Sequence, residues 1–149
     1  MSATAAPAFA TPAATTSAPT ATAVARTPVS WTGRVVSGIP ALFLAFDAVV
    51  KQLDLPAVAK TSAQLGLPVE LAPGLGILLA ACLALYLIPP TAPLGAVLLT
   101  GYLGGAVLTH LRVDDPWLSH TLVPIYVGAL LWGGLYLRDP RVRALLAPR

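Results

Sequence analysis

Five ionisable side chains stand where an apolar chain has least reason to keep them. Asp47 lies inside the run Val35–Leu53, with Lys51 four residues on; His110 and Arg112 close another apolar run, and His120 opens the next. Asp placed four residues before Lys sets both on one helix face, in the favourable order for an ion pair. A His near an acid shuttles protons around neutral pH, because imidazole titrates near pH ~6.5. Such groups also hold the polar head of an otherwise apolar ligand. Metal chemistry is not expected: His110 and His120 have no Cys or Glu beside them at ligand spacing, and Cys82 is the only cysteine. No nucleotide loop, GxSxG elbow or HExxH helix is present, so no catalytic residue and no cofactor are assigned.

The elements that must carry these residues follow from where charge is missing. No Asp, Glu, Lys or Arg lies between Glu70 and Arg112. A spanning helix needs roughly 20 apolar residues, so that stretch holds two. Pro89-Pro90 falls between them and breaks the chain into a tight hairpin, 71–88 and 92–111. A further run, 121–137, ends at Arg138-Asp139-Pro140, and 35–53 is the remaining segment, interrupted by Asp47 and Lys51. Continuous rather than alternating apolarity excludes barrel strands. The expected fold is all-α, an integral membrane four-helix bundle over residues 33–146.

Composition agrees. Charged residues make up 10% of the 149-residue chain, too few for the skin of a soluble domain. The net charge of +3 comes without basic–aromatic clusters, so nucleic acid is not an expected partner. Residues 1–32, rich in Ala, Thr, Pro and Ser, read as a disordered tail, without the basic start and apolar core of a signal peptide. Arg26, Arg34, Arg138, Arg141, Arg143 and Arg149 flank one side of the segments; Lys60 and Arg112 occupy the other. That asymmetry places both termini in the cytoplasm and predicts the cytoplasmic (inner) membrane as location. Trp31, Trp117, Trp132 and Tyr136 are expected near the interfaces. In the first external loop, Pro56 to Leu65 reads either as a short interfacial helix or as a polar loop.

With this topology Asp47, Lys51, His110, Arg112 and His120 converge in the outer half of the bundle. An acid within a spanning helix costs on the order of 2.5–3.5 kcal/mol, so Asp47 is expected to face protein or a cavity. Two readings stand for Asp47 and Lys51: a local pair that helps a marginal helix insert, or a charged wall of a ligand or proton site. The second is preferred. Asp114 and Asp115 read as loop residues or as counter-ions of Arg112. Gly101 and Gly105, at GxxxG spacing, are expected at a helix packing seam. Cys82 reads as inert packing.

The chain resembles the DoxX-like family of small four-helix bacterial membrane proteins. The resemblance spans Gly33 to Leu146. It is carried by FDAVVK (Phe46–Lys51), YLIPPT (Tyr86–Thr91), LGAVLLTGYLGGAVLTHLR (Leu94–Arg112) and SHTLVPIYVGALLWGGLYLRDPR (Ser119–Arg141). It implies a helical bundle in the cytoplasmic membrane and carries over Asp47, Lys51, His110 and His120. The founding member resembles a subunit of a quinone-reducing thiosulfate oxidoreductase. This chain departs from the pattern at Leu79, where relatives often have Glu, and at Pro90, where a base often follows the hairpin's Ile-Pro. The lost Glu counts against two-carboxylate chemistry and makes a stand-alone enzyme the less favoured expectation.

Two functions follow as expectations. The first is an outward-facing polar pocket for a quinone-like or other hydrophobic small molecule. The alternative is a non-catalytic accessory subunit of a membrane redox complex. The partners expected are the lipid bilayer, the small molecule, and either another membrane protein or further copies of the chain.

Overall fold

The computed structural model describes residues 31–53 and 55–146. The tail expected over 1–32 therefore lies, for residues 1–30, outside the described residues. The described residues form helices joined by short turns and loops, with no strand among them: α1 (Trp31–Val50), α2 (Pro56–Gln64), α3 (Leu71–Leu87), α4 (Ala92–Arg112), α5 (Val123–Arg138) and α6 (Pro140–Leu146). One wide π-helical turn, Trp117–Thr121, leads into α5.

α1 starts four residues before the apolar run and stops short of its end. Thr32, Gly33 and Arg34 are compatible with a helix start although a hydropathy window passes over them. At the other end, Gln52 and Leu53 donate their N–H groups to the carbonyls three residues back, tightening the last turn into a stop. The Pro89-Pro90 break acts as expected. Thr91 Oγ1 donates across the turn to the Leu85 carbonyl at 2.8 Å, and α4 begins directly after it.

The Arg138-Asp139-Pro140 break ends α5 and also starts α6. Asp139 Oδ1 accepts the Arg141 N–H at 2.9 Å, and Pro140 opens the helix, where its missing N–H costs nothing. Burial of Asp139 raises its carboxyl pKa. The hydrogen bonds from the Arg141 side chain and backbone, with the charge of Arg141, outweigh that and hold it below the ordinary 3.8.

α1 packs against α5 and α3, and α4 packs against α3 and α5. The core runs through Leu44, Leu79, Leu99, Leu131 and Leu135, with Tyr86 fully buried among them. The Tyr86 hydroxyl donates to the Leu131 carbonyl at 2.8 Å and lies 3.1 Å from Ser37 Oγ, joining α1, α3 and α5. Gly95 and Gly134 each allow a close helix approach. A Cβ on Gly95 would run into the backbone of Tyr86 and Leu85, and one on Gly134 into Ser37.

These contacts define two ends. At the hairpin end lie the Ile88–Thr91 turn, the start of α1 and α6. Arg138 donates there to the Tyr86 carbonyl at 2.9 Å and covers the Tyr86 ring, 4.7 Å from its centroid. Arg141 reaches the Pro89 carbonyl at 2.8 Å. At the loop end lie Lys51, α2 and the α4–α5 connection.

Among the described residues, three helical stretches are long and apolar enough to cross a membrane: Trp31–Val50, Ala92–Arg112 and Trp117–Arg138; α3 is apolar but shorter. Large side chains such as Leu42, Phe46, Ile77, Leu108 and Ile125 are exposed on their outer faces. Such a surface suits lipid and not water. Trp132 links two helices: its indole N–H donates to Thr100 Oγ1 at 2.9 Å, between α5 and α4.

Candidate functional site

The last turns of α1 carry the charged pair. Lys51 Nζ lies 2.5 Å from Asp47 Oδ1, and both side chains are part-buried. Gly76 of α3 sets their position. A Cβ there would strike Gln52, the Ala48 carbonyl and Lys51 Cβ, so only glycine lets the end of α1 lie this close to α3. Gln52 Nε2 then donates to the Pro73 carbonyl at 3.0 Å and ties the two helices.

The end of α4 carries His110. Its Nδ1 lies 2.6 Å from Asp115 Oδ2, so Asp115 partners this histidine and not Arg112. The backbone reverses between them, with Asp114 at a φ of 54°, a left-handed conformation that Asp tolerates better than most residues. The wide turn Trp117–Thr121 then returns His120. The two imidazole centroids are 6.0 Å apart, and Ser119 Oγ is 2.8 Å from His120 Nδ1.

Between these groups is a cavity of about 590 Å³, within the ~300–1,000 Å³ usual for small-molecule sites. Asp47, Lys51, His110 and His120 all line it, at the loop end. Much of the remaining wall is apolar, with Phe43, Leu78 and Val127 among its residues. A smaller recess of about 190 Å³ shares Asp47, Lys51, Thr61 and Leu65 with the cavity and extends along Ala57 and Val58 of α2.

Three predicted residues have other places. Arg112 does not line the cavity: its Nη2 donates to the carbonyls of Leu65 and Gly66, at 2.9 and 3.3 Å, in the loop after α2. At the C-terminus of α4 its side chain extends beyond the helix end, where backbone carbonyls are its partners. Gly101 and Gly105 are not at a packing seam within the chain. Among the described residues, nothing lies within 4 Å of where a Cβ would stand on either, and both line the cavity. The tight glycine contacts are made elsewhere, by Gly76, Gly95 and Gly134.

Sequence reasoning passed over Tyr102, Thr109, Thr61 and Ser119, which add hydroxyls to the wall. The signal for two of them is helical spacing: Tyr102, Ala106 and Thr109 form one stripe of α4 leading to His110. Leu79 is fully buried in the core and does not line the cavity. Among the described residues no group of three His, Cys, Asp or Glu could hold a metal ion.

Helices of membrane-crossing length, apolar outer faces and a cavity polar at one end define a membrane-spanning helical protein. The sequence pattern of the DoxX-like family matches residues 35–134, a stretch that includes all four charged and imidazole groups of the cavity. The chain belongs to the DoxX-like family. Neither curated proteins nor solved structures give a match.

Proposed function

We propose that this protein crosses the bacterial inner membrane four times, with both termini cytoplasmic, and binds a quinone-like amphipathic molecule in a cavity opening in the outer half of the bilayer. The observation that carries this reading is the layout of the cavity wall. Asp47, Lys51, His110 and His120 gather at one end of an otherwise largely apolar space. A ligand with a polar, hydrogen-bonding head and an apolar body matches that division. A purely apolar ligand would leave the charged pair and imidazoles unmatched.

In this arrangement the head group lies between the Asp47–Lys51 pair and the imidazoles. Lys51 donates to a carbonyl or hydroxyl oxygen of the head, while Asp47 holds the ammonium in place. His110, its Nδ1 engaged by Asp115, offers Nε2 to the ligand and can accept or return a proton there. The ligand's body lies along Gly101, Gly105 and Leu78, where missing side chains leave room for a ring or chain.

The test is equilibrium binding of a short-chain quinone analogue to the purified protein in nanodiscs. Saturable binding is expected, weakened about tenfold or more by Asp47→Asn or by His110→Ala, as loss of one polar partner in a desolvated site implies. Binding that ignores both substitutions, in folded protein, contradicts the proposal. If phospholipid alone occupies the cavity, the analogue does not saturate.

A further inference from the structure

Arg112 was expected among the ligand-binding groups, yet its guanidinium reaches the other way, to the loop that follows α2. α2 itself is weakly held. It has no buried residue and no side-chain cap at its N-terminus. Among the described residues, the side-chain hydrogen bonds that join α2 and its following loop to the four long helices are the two from Arg112 Nη2 to the Leu65 and Gly66 carbonyls; the other links are turn bonds where the loop runs on into α3. Thr61 and Leu65 nevertheless form part of the cavity wall, and α2 closes one side of the smaller recess beside Asp47 and Lys51.

Gly66 completes the contact. Its φ of +63° is left-handed, and a Cβ on it would stand 3.0 Å from Arg112 Nη2. The left-handed turn favours glycine, and a side chain there would crowd the guanidinium where it meets the two carbonyls. A charge-assisted bond between a long side chain on a rigid helix and backbone oxygens on a loosely packed segment is a latch, since breaking it disturbs little else.

We propose that α2 is a hinged cover over the cavity, latched by Arg112 through the Leu65 and Gly66 carbonyls, and that opening it admits the ligand. Arg112 is a positioning residue and does not touch the ligand. The role of the cover as a gate rests on the pocket reading above, whereas the latch itself does not require it.

The experiment therefore reads the cover without any ligand. Hydrogen exchange of the α2 amides, Ala57–Gln64, is compared in the wild type, Arg112→Ala, Arg112→Lys and Gly66→Ala, in nanodiscs. In parallel, Leu75→Cys, introduced with Cys82→Ser, reports access to the cavity by its rate of reaction with a water-soluble maleimide. Arg112→Ala should raise both α2 exchange and labelling about tenfold, the factor that one lost charge-assisted hydrogen bond represents. Arg112→Lys should recover part of the protection. Gly66→Ala should reproduce the loss with the guanidinium still present. Exchange in α3, α4 and α5 should not change in any of them.

Unchanged α2 exchange and labelling in both Arg112→Ala and Gly66→Ala overturns the latch. So does a rise spread evenly over all helices, which would make Arg112 a general stability residue. Failure of quinone-analogue binding with α2 exchange responding as expected overturns the pocket occupant and leaves the latch standing.

Discussion

His110 Nδ1 lies 2.6 Å from Asp115 Oδ2, so only Nε2 of this imidazole remains for a molecule in the cavity. The pair fixes the ring's edge and orientation, as a carboxylate does behind a working histidine. Asp115→Ala should release the ring and weaken analogue binding several-fold. Stability should change by no more than about 1 kcal/mol, because the pair is partly exposed. Binding titrations alongside thermal unfolding separate the two effects.

The glycines divide into two functional sets. Gly101→Ala and Gly105→Ala meet no neighbour among the described residues, so each should leave stability unchanged or raise it by up to about 1 kcal/mol through helix propensity. Both should reduce analogue binding by narrowing the cavity. Gly95→Ala and Gly134→Ala drive a methyl into Tyr86 and Ser37, and should lose about 1–3 kcal/mol. Unfolding temperatures of the four variants provide the comparison.

Tyr86→Phe removes the hydroxyl that joins three helices in the core. It should destabilise the fold by about 1–2 kcal/mol, because Ser37 Oγ and the Leu131 carbonyl lose a buried partner. The cavity is not in contact with this residue, so analogue affinity should hold at temperatures where the variant is folded.

Asp139 makes a pH-dependent contribution at the hairpin end. Its carboxyl pKa is held below 3.8 in the folded state, so the folded form favours ionisation more than the unfolded chain does. The resulting stability is fully present above pH 3.8 and is lost as pH falls through the lower folded value. Asp139→Asn should remove that part of the acid sensitivity while leaving behaviour above pH 5 with a constant offset only. Unfolding curves in steps across the acid range measure it.

Much of the fold was legible because lipid imposes a simple rule: charge-free length makes a helix and a proline pair breaks it. The convergence of Asp47, Lys51, His110 and His120 was legible for the same reason, since antiparallel helices bring those positions to one end. The place of Arg112 was not legible, because its partners are the Leu65 and Gly66 carbonyls, and a backbone acceptor leaves no mark in residue type. The place of Gly101 and Gly105 was not legible, because GxxxG spacing says that two positions are small and not what stands opposite them. The Tyr86 junction depends on Ser37 and Leu131, far away in sequence, and no local pattern points to either.

The central claim is that the cavity takes a polar-headed apolar molecule at Asp47 and His110. The most direct measurement is photolabelling of the nanodisc-embedded protein with an azido-quinone of short chain, the labelled residues being read by peptide mass spectrometry. The account predicts saturable labelling within the cavity wall, centred on α1 near Asp47 and α4 near His110. Excess unlabelled quinone should abolish it, and the Asp47→Asn, His110→Ala double variant should reduce it about tenfold or more. Labelling spread over the exposed outer faces, or cavity labelling that the double variant leaves unchanged, would contradict it.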